Sequence, residues 1–482
     1  MLKILMAASE ASPFAKTGGL ADVLGSLPIA LNNLGGDVRV IMPKYATIPI
    51  SLKDSIKHCC YIYVKLGWRN IYCGIEQAEY KGVTYYFVDN EFFFHRDGLY
   101  GYGDDGERFA FFCRAVLEAL PQIDFIPDVI HCHDWQAGMI PVLLEAQYRQ
   151  LDAYKNIATM FTIHNLRYQG VFGIADFKDW FALDNMHFSS YNLEFYGGAS
   201  FLKGGLVYSR LLTTVSPSYA EEIKTFNYGE RLHELLKVRN KDLYGILNGI
   251  DYKEFDSKSD HLIYQTFSKS NLSGKAANKT ALQKDLNLTV GEDIPMIGLI
   301  SRLVDQKGLD LIACVLDEIL NENVQFVVLG TGDNKYERLL KDAAFRYPGK
   351  MSAIIKFDNE LAHKIYASSD LFLMPSLFEP CGLGQIISLR YGTLPIVRET
   401  GGLKDTVISY NEETGEGNGF SFAHYNAHDM LFTIKRALSI YKRKTLYNKL
   451  RKAAMSCDYS WQNSADKYME LYHSVTSAME ET

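Results

Sequence analysis

Met1-Leu-Lys-Ile-Leu-Met-Ala-Ala8 is followed by Lys16-Thr-Gly-Gly-Leu-Ala-Asp22, which leads into an amphipathic stretch ending near Gly35-Gly36. An apolar run, a glycine loop and a helix-period segment read as the first strand, loop and helix of a parallel α/β sheet. Lys3 precedes an apolar run that could suggest a signal peptide, but Glu10 interrupts it before a core of the needed length forms, so the run is expected to be a buried strand. Gly18 and Gly19 let the backbone approach a ligand, the helix N-terminus favours an anion and Lys16 adds a point charge. Together they suit a diphosphate, although two glycines would equally serve a plain turn between strand and helix.

The same alternation continues outward along the chain. In the first half, strands are expected at Leu2 to Ala8, Asp37 to Met42, Val129 to His131, Ala158 to Ile163 and Leu211 to Val215. The pattern restarts with Met296 to Ile300, Gln325 to Leu329, Ala353 to Phe357, Leu371 to Met374 and Leu394 to Val397, with helices such as Leu309 to Leu320, Tyr336 to Phe345 and Leu361 to Ser368 between them. Two such series predict an α/β protein of two Rossmann-like, doubly wound domains, residues 1–247 and 248–459, with turn chemistry at Asn248-Gly249 marking the boundary. The polar stretch Ser257 to Leu288 reads as a surface excursion with a helix, and Ala465 to Met479 as a terminal helix.

At 482 residues the chain exceeds the ~250 to 300 at which one hydrophobic core stops growing, so two or three domains are expected. Hydrophobic residues at 47% and charged residues at 22% are ordinary for a soluble globular enzyme. A net charge of −7 without a basic stripe argues against nucleic acid, and no window approaches the ~20 apolar residues of a membrane span. Eight cysteines without a CxxC pair predict reduced thiols in the cytoplasm and no zinc ribbon. Oligomeric state is not legible.

In open α/β sheets ligands gather at the loops after the strands' carboxyl ends, so those loops are where chemistry is expected. His131-Cys-His-Asp134-Trp135 leaves one strand; Asp134 beside an indole suits a sugar, the carboxylate taking hydroxyls and the ring covering a C–H face. His131 and His133 share a face and would suit a metal, but further ligands at suitable spacing are missing, and His131 and Cys132 read as core. His164 and Asn165 end another strand and offer directional donors to a sugar. Arg302 and Lys307 bring two cations to a loop entering a helix, as a diphosphate would need. Glu379 is the only carboxylate of the tight loop from Pro375 to Gly384, and Thr400-Gly401-Gly402 supplies a third glycine loop.

These motifs, with Thr214-Val-Ser-Pro, Leu247-Asn-Gly-Ile-Asp251, Ser301-Arg-Leu, Phe378-Glu-Pro-Cys-Gly-Leu383 and Arg398-Glu-Thr-Gly-Gly-Leu403, occur in an order that resembles the bacterial glycogen synthase and plant starch synthase family. Asn271-Leu-Ser-Gly-Lys275, Asn278-Lys279 and Tyr459-Ser-Trp461 fit as well, so nearly the whole chain is covered. The resemblance implies a GT-B type fold, two Rossmann-like domains facing across a deep cleft, with a C-terminal helix, residues 460–482, returning to the first domain. It implies retaining transfer of glucose from ADP-glucose to the non-reducing end of an α-1,4-glucan, with glycogen or a maltooligosaccharide as acceptor. His164, Arg302, Lys307 and Glu379 would be catalytic. Lys16, Gly18, Gly19, Asn248, Cys381, Gly382, Leu383, Thr400, Gly401 and Gly402 would bind the donor, and Asp22, Asp134, Trp135 and Asn165 the sugar and acceptor.

No metal or other cofactor is expected, because the Asp-x-Asp element that holds a metal in other glycosyltransferases occurs nowhere. Ile387 stands where many retaining relatives carry a second Glu, which speaks against a two-carboxylate mechanism of the hydrolase kind, and Gln136 replaces a frequent His. The competing readings are a transferase of the same fold with another donor or acceptor, of the sucrose- or trehalose-forming type, a metal hydrolase using His131 and His133, and a glucan-binding protein without activity.

Overall fold

The computed structural model describes residues 1–480. The chain divides into two compact units, one formed by residues 1–249 with the helix beginning at Trp461, the other by Ile250–Ser460.

The first unit contains β1 (Lys3–Ala7), β2 (Asp37–Pro43), β3 (Lys57–Leu66), β4 (Arg69–Tyr80), β5 (Val83–Asp89), β6 (Val129–His133), β7 (Ala158–Ile163), β8 (Val171–Phe172), β9 (Glu194–Phe195), β10 (Gly198–Ser200), β11 (Leu211–Thr214) and β12 (Leu243–Gly245). Nine of them form a sheet in the order β12-β11-β7-β6-β1-β2-β5-β4-β3, while β8, β10 and β9 form a small antiparallel sheet. From β12 to β5 every pair in the large sheet is parallel. Burial on both faces explains the unbroken apolar reading of β1, whose Ile4, Leu5, Met6 and Ala7 are all fully enclosed.

Strands β3 and β4, which the β/α alternation does not predict, extend this sheet as a hairpin, β4 antiparallel to β5 and β3 antiparallel to β4. Their signal is different: side chains of β3 alternate between exposed and partly covered, as expected of a strand with one face in solvent. A turn at Gly67, whose φ is +62°, reverses the chain between them.

The second unit contains β13 (Met296–Ile300), β14 (Gln325–Leu329), β15 (Met351–Ile354), β16 (Leu371–Met374), β17 (Leu394–Arg398) and β18 (Phe420–Phe422), all parallel, in the order β15-β14-β13-β16-β17-β18. Within each unit the strand order reverses beside the first strand: β1 lies between β2 and β6, and β13 between β14 and β16. Helices pack on opposite faces either side of such a reversal, so the loops leaving the two central strands diverge and open a crevice at their carboxyl ends.

Two expectations are revised. The stretch Ser257 to Leu288 does hold a helix, Ser273–Asp285, but Lys275, Asn278, Lys279 and Gln283 on it are buried rather than solvated. They are tolerated because each is hydrogen-bonded: Lys275 Nζ donates to the carbonyls of Ala367 (3.1 Å) and Tyr391 (2.8 Å) and to Thr393 Oγ1 (2.7 Å), and Lys279 Nζ pairs with Asp370 at 2.7 Å. The terminal helix begins at Trp461, four residues before the Ala465 read from the residues and one after the start that the resemblance implies, and buries Trp461, Tyr468 and Tyr472 in the first unit. Among the described residues no helix is long and apolar enough to cross a membrane.

Candidate active site

At the strand-order reversal of the first unit, the loops after β1 and β6 are neighbours. The Lys16 loop is exposed from Lys16 to Gly19, and Gly18 caps the helix Gly19–Asn33 with no side chain, so the first amides of that helix have no side-chain acceptor. Among the described residues, nothing beyond its own chain neighbours lies within 4 Å of where a Cβ on Gly18 would stand. Lys16 Nζ pairs with Asp22 at 2.5 Å, and burial pushes the Asp22 carboxyl up despite that partner.

Beneath the loop lies Glu10, which the sequence reading used only to end an apolar run. Its carboxylate accepts the Thr17 amide at 2.5 Å and the Thr17 hydroxyl at 3.0 Å, and is 4% exposed. Burial pushes its carboxyl up to about 7, against the pull of those donors. Its signal in the sequence is position alone: an acid three residues past a buried strand.

Asp134, directly after β6, has φ +56° and ψ −179°, a conformation favourable only to glycine, and such strain is held only where the surroundings over-determine it. Asp134 Oδ1 accepts the backbone N–H groups of His164 (2.8 Å) and Asn165 (3.4 Å), so the β6 loop fixes the β7 loop. Burial raises the Asp134 carboxyl to about 7, with Glu10 adding to the effect. The His164 ring meets His133 Nδ1 through its Nε2 at 3.0 Å, and burial pulls its imidazole down to about 3.

His131 and Cys132 are fully enclosed; His131 joins Tyr472 of the terminal helix (2.7 Å) to Thr162 (2.6 Å). Among the described residues no three His, Cys, Asp or Glu side chains are grouped as a metal would require. Trp135, expected to cover a sugar face, packs its indole among Phe109, Phe172 and Phe201 at centroid distances of 5.2, 6.0 and 5.6 Å and against Gly170. It is therefore a wall of an aromatic cluster. Asn248 is 6% exposed, and its Oδ1 has no hydrogen-bond partner among the described residues.

In the second unit, β13 and β16 flank the reversal, and their loops carry Lys307 and Glu379. Lys307 Nζ lies 2.6 Å from Glu379 Oε2, which also accepts Ser376 Oγ at 3.0 Å. Arg302 is exposed on the same β13 loop. Three loops interlock here by backbone: Leu377 N donates to Gln306 O (2.9 Å), and Gly402 N to Glu379 O (3.2 Å). A Cβ on Gly401 would stand 2.0 Å from Glu379 O, and one on Gly402 would stand 2.2 Å from Cys381 O. These glycines are therefore required by packing of loop on loop. Thr400 is buried as the residue that begins the helix Gly401–Thr406.

Three more residues complete the scaffold and were not singled out from sequence. Arg398 donates to the carbonyls of Ser376 (2.8 Å) and Leu377. Gln385 Nε2 donates to the carbonyls of Cys381 (3.0 Å) and Gly382 (2.8 Å), fixing the turn at Gly382, where φ is +72°, ahead of Leu383. Ser376 is the third. These three act on the loop itself, Arg398 and Gln385 through main-chain carbonyls and Ser376 through the Glu379 carboxylate, partners that their own stretch of sequence does not display.

Residues 3–238 match the family described as starch synthase catalytic domain, and residues 284–456 match glycosyl transferases group 1. The chain is 55% identical over 471 residues to a glycogen synthase of Desulforamulus reducens, covering 98% of both proteins, and 54% identical over 481 residues to one of Geobacillus stearothermophilus, covering 100% and 99%. The catalytic domain of starch synthase IV from Arabidopsis thaliana, solved bound to ADP and acarbose, superposes with a TM-score of 0.93 at 34% identity over 99% of each chain. Sucrose-phosphate synthase from Thermosynechococcus elongatus, at 18% identity and a TM-score of 0.64, shares the fold. Two parallel α/β units with a cation and a carboxylate at the strand-order reversal, matched over the full length, make this chain a glycosyltransferase of GT-B fold that belongs to the glycogen synthase and starch synthase family.

Proposed function

We propose that the enzyme transfers glucose from ADP-glucose to the non-reducing end of an α-1,4-glucan, with retention at the anomeric carbon and without a metal, in the cytoplasm. The observation that carries this reading is the contact between Lys307 and Glu379 at 2.6 Å, held by interlocked loops. An ammonium group has three N–H donors, so contact with one carboxylate oxygen leaves Lys307 two for another anion. As the glycosidic bond to the nucleotide breaks, positive character grows on the sugar ring and negative charge on the leaving diphosphate. Cations already in place for that charge are the largest catalytic term usually available.

Lys307 and Arg302 serve the diphosphate in this reading, with Lys16 and the uncapped amides behind Gly18 as a second anion site. Glu379 faces the sugar, with the turn of Cys381, Gly382 and Leu383 around it and Thr400 to Gly402 behind it. His164, Asn165, Asp134 and Asp22 serve sugar and acceptor, and the open Oδ1 of buried Asn248 is a ready acceptor for a ligand hydroxyl. An adenine nucleotide as donor is supported by the relative solved with ADP. Cytoplasmic residence is supported by eight free cysteines.

The test is release of ADP from ADP-glucose by purified protein with and without glycogen, in excess EDTA, beside UDP-glucose. Release that needs glycogen, survives EDTA and prefers ADP-glucose is expected. Loss of release in EDTA would overturn the metal-free mechanism, and preference for UDP-glucose would overturn the donor.

A further inference from the structure

His133 is the last residue of β6 and His164 the first after β7. His133 Nδ1 and His164 Nε2 lie 3.0 Å apart, so one of these nitrogens carries the shared hydrogen and the other accepts it. His133 is fully buried, and its second nitrogen, Nε2, has no hydrogen-bond partner among the described residues. The nearest polar ring cannot supply one. His131 lies against His133 at 4.1 Å between centroids, its ring tilted by 34°, but its Nδ1 is engaged by Tyr472 and its Nε2 by Thr162.

Two arrangements of hydrogens are possible. If His164 Nε2–H were the donor, His133 Nδ1 would be the acceptor, and the hydrogen of His133 would sit on Nε2, a buried N–H with nothing to receive it. If His133 Nδ1–H is the donor, its Nε2 is left as a bare lone pair. Orphaned buried N–H groups are rarer in proteins than under-satisfied acceptors, so the second arrangement is favoured. Burial also keeps both rings neutral, which leaves each a single N–H.

We propose that His133 is a positioning residue that fixes His164 in the Nδ1–H tautomer, so that the ring presents an N–H donor from Nδ1 to a hydroxyl of the transferred glucose. The sugar contact rests on the reading of His164 given above; the tautomer does not. Free imidazole side chains in water prefer hydrogen on Nε2, so the protein must impose this choice. It does so through contacts anchored outside the loop. Tyr472 and Thr162 hold His131, whose ring lies on His133, while Asp134 Oδ1 holds the His164 amide at 2.8 Å. Rotating His164 would break the contact to His133, and sliding the loop would break the one to Asp134.

The experiment uses the full-length protein with 15N-labelled histidine and reads long-range 1H–15N correlations, with the His164 signals assigned by their loss in His164→Gln. A protonated Nδ1 and a bare Nε2 on His164 are expected; a protonated Nε2 would overturn the proposal without any variant having to fold. Kinetics test the role. His133→Leu removes the donor, and a fall in kcat of about 10- to 100-fold with little change in KM for ADP-glucose is expected. His133→Asn, whose amide N–H reaches the place of Nδ1–H, should recover most of that loss. Equal rates for the Leu and Asn variants at equal thermal stability would mean that His133 only fills space, and would overturn the positioning role. A normal rate in His164→Ala beside the expected spectrum would overturn the sugar contact and leave the tautomer standing.

Discussion

In the second unit the loop after β13 is fixed by contact of main chain with main chain: a Cβ on Gly308 would stand 2.1 Å from Pro375 O, as one on Gly401 would from Glu379 O at 2.0 Å. In the first unit the loop after β1 has open space around Gly18 and is held instead by side chains, Glu10 on Thr17 and Asp22 on Lys16. The two units place comparable glycine loops at comparable points of their sheets, yet one is fixed by sterics and the other by hydrogen bonds to the buried Glu10 and the partly exposed Asp22. A sterically fixed loop keeps its geometry whatever the pH and suits preorganised charge. A loop held by a carboxyl raised to about 7, that of Glu10, responds to protonation and can yield to a ligand.

The comparison puts the main catalytic weight on the second unit. Lys307→Ala and Glu379→Ala should each lower kcat by about 10²- to 10³-fold, the scale of losing one preorganised electrostatic partner, with thermal melting showing a folded protein. Lys16→Ala should cost about 10-fold and act mostly on the KM for ADP-glucose, because Lys16 is exposed and its loop is adaptable. A Lys16 variant as slow as the Lys307 variant would break the assignment of the weight to one side.

Glycine substitutions test the steric half directly. Gly401→Ala forces a Cβ into Glu379 O at a φ of +44°, so a loss of about 3 kcal/mol in stability is expected from overpacking and backbone strain combined. Gly18→Ala meets no atom and keeps an extended φ of −160°, so stability should stay within about 0.5 kcal/mol while the KM for ADP-glucose rises. Urea denaturation and steady-state kinetics of the pair decide the matter. Equal destabilisation by both would show that the two loops are built alike after all.

Much of this contrast was open to the sequence, and the exceptions have a common cause. The inner strands Met296–Ile300, Gln325–Leu329 and Leu371–Met374 were readable to the residue because parallel strands covered on both faces are unbroken apolar runs. Strands β3 and β4 escaped because one face meets solvent. Lys16, His164, Lys307 and Glu379 could be placed at strand ends because the chemistry of their side chains declares itself within a few residues. Lys275 and Lys279 misled, since a lysine's partners here lie about 90 residues or more away, at Ala367, Tyr391 and Asp370. The packing of Trp135 is illegible for the same reason: what surrounds its indole is set by Phe109, Phe172 and Phe201, none of them its neighbour in sequence. Glu10 was passed over because nothing near it in sequence shows that it will be desolvated.

Glu10 also supplies the smallest effect, a test of the hydrogen-bonded half of the comparison. Its carboxyl is raised from 4.5 to about 7 in the folded protein, so folding takes up a proton between those values. Stability from this group is therefore complete below about 4.5, falls as pH rises toward 7 and stays low above it. Glu10→Gln removes the titration while keeping an oxygen that can accept the Thr17 amide. The variant should gain on the wild type between about pH 5 and about pH 8 by on the order of 1 kcal/mol, less than the full shift implies because water and side chains relax around the charge. Asp134, raised in the same direction, titrates in both proteins, and because the Glu10 charge adds to its rise its contribution cancels from the difference only in part. Urea denaturation at the two pH values measures the change. If the gap between variant and wild type does not move with pH, Glu10 is not a buried, unpaired acid, and the Lys16 loop is held by something other than its carboxylate.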